Sequence, residues 1–330
     1  MSNLSFDIKT IFDINSGLEF NEKALEIFHW QAKNIPIYKE YISSLKLKPE
    51  NIIKIEEIPF LPIQFFKSRE VIEKGNAPEI IFKSSGTTET GRSQHFVADL
   101  NLYQQSFTKG FEAAYGDIYN TCIIALLPNY QEQGDSSLIY MIDSLIEQSG
   151  HSKSGFYLNE NNTLLDTLSE LKKSNTKTLL IGVTYALLDF IEKQKIDFSN
   201  LIVMETGGMK GRRKEIVREE LHEMLCAGFG VSQIHSEYGM TELLSQAYSS
   251  GNGVFNTPAW MKIITREISD PLSLCKENKT GGINVIDLAN ISSCCFISTQ
   301  DLGRTLGNNQ FEIIGRFDNS DTRGCNLMIG

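Results

Sequence analysis

The pattern of apolar residues along the chain changes near residue 80. Before that point, residues 21–34 repeat apolar side chains at helical spacing, and prolines at positions 36, 59 and 62 interrupt the segment between that pattern and residue 80. After it, short apolar runs at 121–128, 177–183 and 200–208 alternate with helical patterns at 136–150 and 211–230. Near-continuous apolar strands between helices predict an α/β fold with a mostly parallel sheet, which helices cover on both faces.

Three later apolar runs have no helical pattern between them and predict a β-rich C-terminal subdomain; they lie at 281–288, 294–303 and 309–316. No flexible linker separates them from the α/β part, but the small residues at 249–253 predict a loop. We therefore predict two domains. Residues 1–250 contain the helical N-terminus and the α/β core, and residues 251–330 contain the β-rich subdomain.

The chain of 330 residues is acidic, with a formal net charge of -10 and a pI near 5.1. Such a chain repels nucleic acids and anionic lipid surfaces, so neither is expected as a partner. No apolar run approaches the roughly 18 residues of a membrane-spanning helix, and the N-terminus shows no signal-peptide pattern. The 6 cysteines have no metal-ligand spacing, which indicates free thiols in a reducing cytoplasm.

The segment 84–93 reads SSGTTETGRS, which combines hydroxyl groups and glycines with one arginine. Hydroxyl donors, glycines that let the backbone approach closely and a planar guanidinium all suit phosphate oxygens. A P-loop is excluded, because arginine stands where that motif needs lysine and a strand-like segment follows where a helix must begin. The segment is therefore either a different phosphate-binding loop or a solvated polar turn.

Three further polar segments follow predicted strands, at 128–136, 205–213 and 236–242. Ligands of parallel sheets bind where loops leave the carboxyl ends of the strands. We therefore expect these loops and the segment 84–93 to lie at one edge of one sheet and to converge on one site.

The most informative of these segments contains Tyr238 and Gly239, which predict a turn with an aromatic face for a nucleotide base. Thr241 can donate to a phosphate oxygen, and Glu242 is a hard oxygen ligand suited to Mg²⁺ beside phosphates. The alternative is a helix that Thr241 caps and whose dipole Glu242 complements. His235, just before the turn, is a candidate pocket residue, with ordinary packing as its alternative.

In this order the segments resemble the adenylate-forming superfamily, which includes acyl-CoA ligases and luciferase. Four motifs carry the resemblance: the phosphate loop from Ser84 to Arg92, the Tyr-Gly-x-Thr-Glu signature from Tyr238 to Glu242, a Thr-Gly-Asp-like Thr299-Gln300-Asp301, and a Gly-Arg-x-Asp hinge motif from Gly315 to Asp318. A narrower resemblance covers nearly the whole chain. It is to the LuxE-like acyl-protein synthetase family, and it rests on residues 29–41, 58–68, 126–143, 205–215 and 323–330.

The resemblance implies the N-terminal-domain fold of adenylate-forming enzymes, with ATP and Mg²⁺ as cofactors. By this resemblance, Thr87, Thr88 and Arg92 hold the β- and γ-phosphates, in a loop that includes Ser84, Ser85 and Gly86. Gly207 and Gly208 line the adenine, and Tyr238 and Gly239 flank the base. Thr241 contacts the α-phosphate, Glu242 assists Mg²⁺, and Asp301 and Arg316 hold the ribose. Tyr130 falls where related enzymes have an aromatic wall of the carboxylate pocket. Charged β-turns are the alternative for Asp301 and Arg316.

The chain departs from the superfamily at its end. It stops at Gly330, shortly after the hinge motif, so we expect it to lack the usual small mobile C-terminal domain and its catalytic lysine. Lys210, Arg212 and Arg213 are candidates to replace that lysine, and a basic helix start is their alternative.

The implied reaction is the activation of a carboxylic acid, fatty by resemblance, as an acyl-adenylate, followed by transfer of the acyl group to a cysteine. Cys325 matches the position of that cysteine, and packing in the final strand is its alternative. Residues 1–250 would then bind ATP and the acid, and residues 251–330 would complete the nucleotide site and carry Cys325. The implied partner is an acyl-acceptor protein, either a reductase, a transferase or a carrier. Two alternatives stay open: a ligase that passes the acyl group to coenzyme A or a carrier protein, and a non-catalytic nucleotide-binding subunit.

Overall fold

A computed structural model of the chain describes residues 5–85, 91–128, 134–207 and 216–317. The helices are α1 (Gly17–Asn34), α2 (Pro36–Ser44), α3 (Phe65–Ser68), α4 (Leu100–Tyr115), α5 (Ser137–Ser149), α6 (Asn161–Lys173), α7 (Thr184–Lys193) and α8 (Arg218–Phe229). The strands are β1 (Leu61–Pro62), β2 (Ile80–Lys83), β3 (Gln94–Val97), β4 (Cys122–Leu126), β5 (Gly155–Phe156), β6 (Thr178–Val183), β7 (Leu201–Thr206), β8 (His235–Tyr238), β9 (Ala247–Ser249), β10 (Val254–Asn256), β11 (Met261–Arg266), β12 (Gly281–Asp287), β13 (Phe296–Gly307) and β14 (Gln310–Arg316). Within the described ranges no helix is long and apolar enough to cross a membrane.

The chain divides into two compact units. Unit 1 comprises the residues up to Ala77 and those from Ala259 onward, and unit 2 comprises Pro78–Pro258. The helical N-terminal segment therefore belongs with the C-terminal strands, whereas the predicted division at residue 250 follows the order of the chain. The functions predicted for residues 1–250 and 251–330 stay predictions.

The centre of unit 2 is a sheet in the order β5-β4-β6-β7-β8-β9-β10, in which the first five strands run parallel and the last two are antiparallel. Every residue of β4 and β6 is buried. Such strands are almost entirely apolar because neither face meets water. The predicted mostly parallel sheet is thus confirmed, with strand limits close to those expected from the apolar runs.

Strands β2 and β3 form a separate antiparallel hairpin, in which Ile80 pairs with Val97 and Lys83 with Gln94. The prediction that the segment 84–93 leaves the same sheet as the other loops was therefore wrong. The strand-like segment after it is β3, as predicted. Helix α4 begins at Leu100, because the carboxylate of Asp99 caps it by accepting from the backbone of Leu102 at 3.0 Å.

The segment around the Tyr-Gly turn does not form the helix that was its alternative prediction. Strand β8 extends through Tyr238, and the chain then turns and returns as the antiparallel strand β9, in which Ala247 pairs with Tyr238. No helix begins at Thr241, so the interpretation of this segment as a helix N-terminus was wrong.

Unit 1 is built on four antiparallel strands in the order β11-β12-β13-β14, with the short β1 parallel to β13. This confirms the predicted C-terminal strands. The side chain of Gln31 in α1 donates to the carbonyl of Ile291 at 2.7 Å and accepts from the backbone of Cys295 at 3.0 Å. Because Gln31 is fully buried, these bonds hold α1 against the segment before β13.

Candidate active site

Loops that leave β4, β6, β7 and β8 lie at one edge of the unit 2 sheet, because these strands are parallel neighbours. The β2–β3 hairpin is tied to that edge at two points. The backbone of Lys83 donates to the carbonyl of Asp135, in the loop after β4, at 2.7 Å. The buried His95 donates from Nδ1 to the carbonyl of Thr241, in the loop after β8, at 2.8 Å. The β2–β3 hairpin, whose strands flank the predicted phosphate loop, therefore lies beside the Tyr-Gly-x-Thr-Glu loop.

Arg92 braces the base of the phosphate loop. Its guanidinium binds both carboxylate oxygens of Asp135, at 2.8 and 3.2 Å, and its Nε donates to the carbonyl of Ser84. The hydroxyl of Ser84 in turn accepts from the backbone of Ser93 at 2.9 Å. The bonds of Ser84 with Arg92 and Ser93 join the two ends of the loop, and the geometrically specific two-pronged pair with Asp135 fixes the orientation of Arg92. A contact of Arg92 with phosphate stays a prediction.

Several predicted site residues lie outside the described residues: Gly86, Thr87, Thr88, Tyr130, Gly208 and Cys325, together with Lys210, Arg212 and Arg213. Of their neighbours, Ser85 is exposed. Gly207 is exposed at the end of β7 with a φ of 61°, a left-handed conformation that favours glycine. Its carbonyl accepts from the hydroxyl of Thr184 at 2.9 Å. The roles proposed for these residues stay predictions.

The Tyr-Gly-x-Thr-Glu loop presents both buried and exposed groups. The ring of Tyr238 packs against Phe255, with ring centroids 5.9 Å apart, and Gly239 is exposed. Glu242 is only 6% exposed. Mg²⁺ beside substrate phosphates is held by one or two carboxylates and by phosphate oxygens, so a carboxylate in the loop bound to the β2–β3 hairpin fits that metal. Across the described ranges, no three His, Cys, Asp or Glu side chains form a dedicated metal site.

Glu237, which the sequence analysis did not select, is a half-buried acid at this edge. Its carboxylate accepts from the hydroxyl of Thr206 at 2.6 Å. Burial raises the pKa of Glu237 from 4.5 to about 7, and the nearby Glu205 adds to the rise. A polar residue inside β8 was the available signal, since acidic residues are depleted in strands.

We expect Glu237 to make unit 2 less stable as the pH rises. The folded state holds this proton more tightly than the unfolded chain, so the stabilisation is full below pH 4.5 and is lost as the pH passes about 7. A shift of this size corresponds to about 3 kcal/mol. Urea denaturation between pH 5 and 8 should show this loss in the wild type and much less of it in Glu237→Gln. The exposed Glu223→Gln is the matched control; equal pH dependence in wild type and Glu237→Gln would contradict the expectation.

In unit 1, the structure brings the two predicted ribose ligands together. Asp301 on β13 and Arg316 on β14 are paired across the strands, with Nε of Arg316 3.1 Å from Oδ1 of Asp301. The arginine side chain is exposed and the carboxylate is nearly buried. Contact of either residue with a ribose stays a prediction.

A buried arginine, Arg266, is hydrogen-bonded to the strand that carries Asp301. Arg266 donates to the carbonyls of Ile283 and Thr299, each at 2.7 Å, and to the side chain of Asn284 at 2.9 Å. Burial lowers the pKa of Arg266, and the negative charge of Asp301 partly offsets this effect. Arg266 therefore positions the Thr299-Gln300-Asp301 segment. The sequence around Arg266 contains no motif that predicts this role.

Gly303, two residues after Asp301, has no room for a side chain. A β-carbon there would collide with the backbone carbonyl of Glu312 and would lie 2.9 Å from Ile283 Cδ1. We expect Gly303→Ala to lower the free energy of unfolding by about 2–4 kcal/mol, since backbone cannot yield as a flexible side chain can. Gly315→Ala is the matched control on the neighbouring strand, because a β-carbon there meets nothing within 4 Å. Equal destabilisation of both variants in urea denaturation would show that the contact with the Glu312 carbonyl is not the cause.

Unit 2 also contains a cavity of about 510 Å³, within the usual range of small-molecule sites. Its lining includes Tyr115, Ile202, His235, Gln246 and Tyr248. The predicted pocket residue His235 is therefore on the cavity wall, and a substrate contact stays a prediction. A β-carbon added to Gly239 would lie 3.3 Å from Cγ of Gln246, so the cavity wall includes a neighbour of the Tyr-Gly turn.

Several solved structures have a fold similar to that of this chain. The ATP-bound MatB of Rhodopseudomonas palustris has a TM-score of 0.53 and 15% identity, with 74% of this chain and 49% of that chain covered. A long-chain fatty acid–CoA ligase from Archaeoglobus fulgidus has a TM-score of 0.53 and 14% identity, with 75% and 53% covered. An open 2-hydroxyisobutyryl-CoA ligase in complex with 2-HIB-AMP and CoA has a TM-score of 0.60 and 11% identity, with 90% and 74% covered.

At these identities the likeness shows the fold, which is that of adenylate-forming enzymes. The chain spans about half the length of the MatB structure. No curated protein sequence gives a significant match. The model of one protein family, described as acyl-protein synthetase, LuxE, matches residues 13–330. The chain belongs to the LuxE acyl-protein synthetase family.

Proposed function

We propose that this chain is an ATP-dependent ligase that activates a carboxylic acid as an acyl-adenylate and then transfers the acyl group to the thiol of Cys325. The observation that carries the first step is the hydrogen bond from His95 to the Thr241 carbonyl, which holds the phosphate-loop hairpin against the Tyr-Gly-x-Thr-Glu loop. The strand that follows the phosphate-loop segment is thus bound to the Tyr-Gly-x-Thr-Glu loop across 146 residues of sequence, which supports a shared site for the two segments.

The first step joins an oxygen of the acid to the α-phosphorus of ATP and releases pyrophosphate. In this proposal the loop braced by Arg92 and Asp135 holds the leaving phosphates, Thr241 donates to the α-phosphate, and Asp301 with Arg316 holds the ribose. Fixed donors of this kind lower the activation barrier of adenylate formation, because they position the reactants and stabilise the charge on the phosphates. Mg²⁺, when bound beside Glu242, would neutralise phosphate charge.

In the second step the Cys325 thiolate attacks the acyl carbonyl carbon. A carbon–sulfur bond forms, the bond from that carbon to the phosphate oxygen breaks, AMP leaves, and the thiol proton passes to solvent. The other cysteines support this choice of nucleophile. Burial raises the pKa of all five cysteines in the described ranges, Cys122, Cys226, Cys275, Cys294 and Cys295, which keeps them as unreactive thiols.

The second candidate is a ligase that passes the acyl group from the adenylate to coenzyme A or a carrier protein. The names of the similar solved structures favour it, since they include coenzyme A ligases. In that case the reaction would not depend on Cys325.

The experiment that tests the proposal is carboxylate-dependent exchange of labelled pyrophosphate into ATP, measured on the whole chain over acids of graded length. Exchange requires reversible formation of the acyl-adenylate, so we expect it with at least one acid and not without acid. Absence of exchange with every acid would favour the third alternative, a non-catalytic nucleotide-binding subunit. Addition of coenzyme A to an active reaction would then separate the first two candidates by the product formed.

A further inference from the structure

The carboxyl group of Glu237 lies between the end of β7 and the Tyr-Gly turn. Its Oε2 accepts from the hydroxyl of Thr206, the last residue of β7, at 2.6 Å. Its Oε1 extends along β8 toward the turn, where a β-carbon on Gly239 would collide with it. Glycine at this position therefore leaves the space that Oε1 occupies, and this oxygen reaches the exposed turn itself.

Oε1 of Glu237 is available to a ligand. Within the described part of the chain it accepts no hydrogen bond, and it keeps some contact with solvent, since Glu237 is half-buried. The same oxygen lies next to the cavity of unit 2. Gln246, a residue of the cavity lining, has its Cγ 3.3 Å from the position of a β-carbon on Gly239. Oε1 therefore lies where the turn meets the cavity.

The groups that face Glu237 decide which of its protonation states can bind an anion. Glu205 on β7 adds negative charge, whereas Tyr115 on α4 and Tyr248 on β9 are neutral because burial raises their pKa. His235, two residues earlier on the same face of β8, is neutral near pH 7, since burial lowers its pKa. None of these groups is a cation. Ionised Glu237 would therefore repel a carboxylate, whereas protonated Glu237 offers it a hydrogen-bond donor.

The proposed function requires the carboxyl group of the acid to lie beside this oxygen. The acid attacks the α-phosphorus, and in that proposal Thr241, two residues after Gly239, donates to the α-phosphate. The cavity on the other side of Gly239 then takes the chain of the acid. Lys177 also lines the cavity, but it precedes β6, at the opposite end of the strands from the turn, and its ammonium is bound to the carbonyl of Tyr115.

We infer that Glu237, in its protonated form, binds the acid by donating a hydrogen bond from Oε1 to the carboxylate oxygen that does not attack phosphorus. This inference rests on the proposed function. The proton stays on Oε1 while the other carboxylate oxygen bonds to phosphorus and pyrophosphate leaves. The oxygen that accepts this hydrogen bond becomes the carbonyl oxygen of the acyl-adenylate. The donor is therefore still in place when the thiolate attacks and negative charge develops on that oxygen.

This role makes the binding of the acid depend on pH. Burial and the nearby Glu205 raise the pKa of Glu237 to about 7, so its protonated form is well populated at neutral pH. A bound carboxylate raises this pKa further, because like charges at one site disfavour ionisation. The acid should therefore bind most tightly below pH 7 and lose affinity as the pH rises above it.

The test uses the whole chain, with octanoate and dodecanoate as probes, between pH 6 and 8.5. Pyrophosphate exchange gives the KM of each acid, and isothermal titration calorimetry gives its Kd without catalysis. In the wild type we expect both quantities to rise about tenfold or more over this range, because the ionised fraction of Glu237 rises. The KM of ATP should change much less, since Glu237 makes no contact with ATP in this mechanism.

Two substitutions of Glu237 separate the donor from the charge. Glu237→Gln keeps a donor and cannot ionise, so its KM for the acid should be nearly independent of pH and should fall below the wild-type value at pH 8.5. Glu237→Met has neither donor nor charge, so its KM should be about tenfold or more above that of Glu237→Gln at every pH. The exposed Glu223→Gln is the matched control and should keep the wild-type pH profile.

A KM for the acid that stays constant with pH in the wild type, or that rises equally in the wild type and Glu237→Gln, would overturn the inference. The wild-type profile needs no substitution, so it decides the matter even if both variants misfold. Exchange with a constant KM would leave the proposed function standing. Binding that weakens with pH as expected, but without exchange, would contradict the proposed function and leave the role of Glu237 in acid binding. Neither binding nor exchange with both probes would overturn both proposals.

Discussion

In a Cys325→Ala variant, incubation with ATP and acid is expected to leave no covalent acyl adduct on the chain, although carboxylate-dependent pyrophosphate exchange continues. Exchange needs only the adenylate, whereas the thioester needs the sulfur of Cys325. Intact-protein mass spectrometry measures the adduct directly. Treatment with hydroxylamine, which cleaves thioesters, should remove the adduct from the wild type.

Cys226→Ala is the matched control for this experiment. Cys226 is partly exposed in α8, and burial raises the pKa of its thiol, so its removal should leave the adduct unchanged. An adduct that persists in Cys325→Ala would exclude this cysteine from the mechanism. If neither protein forms an adduct but both convert the acid to its coenzyme A thioester, the second candidate function is correct.

Replacing Glu242 by glutamine is expected to reduce pyrophosphate exchange by at least about 100-fold, the size of effect seen when one transition-state-stabilising group is lost. The substitution keeps the size of the side chain and removes its charge. The expected cause is weaker binding of Mg²⁺, so the Mg²⁺ concentration for half-maximal exchange should also rise. A loss of exchange through unfolding alone would show no such change in the fraction that remains folded.

The control for Glu242→Gln is Glu220→Gln, which removes one exposed carboxylate from α8. Its exchange rate and its Mg²⁺ dependence should match those of the wild type. Thermal denaturation of both variants would show whether the buried position of Glu242 also matters for stability. Exchange within a few-fold of the wild type and with the same Mg²⁺ dependence would show that Glu242 has no role beside the phosphates.

The parallel strands were predictable because burial on both faces favours long apolar runs, as in β4 and β6. The strand before the Tyr-Gly turn was predicted to end before residue 236, whereas β8 spans His235–Tyr238. Ser236, Glu237 and Tyr238 are polar or amphipathic, so in the sequence they resemble a loop. The β2–β3 hairpin was assigned to the main sheet because a local pattern indicates a strand without identifying its partner.

The same limit applies to the candidate site. The segments around Thr241 and Asp301 were recognised from short contiguous motifs. The residues that brace these segments were not, because they are distant in sequence: Asp135 lies 43 residues from Arg92, and His95 lies 146 residues from Thr241. Arg266 and Asn284 similarly support the Asp301 strand from other strands of unit 1.

The contacts of Gln31 have a consequence for biosynthesis. Its bond to the Ile291 carbonyl spans 260 residues of sequence, and the whole of unit 2 is translated between the two partners. Contacts of such sequence separation form slowly, because a long loop must close first. On the ribosome, α1 can therefore complete its packing only when the segment before β13 emerges, while Pro78–Pro258 can already collapse on contiguous sequence. This interval is when the nascent chain most needs a chaperone.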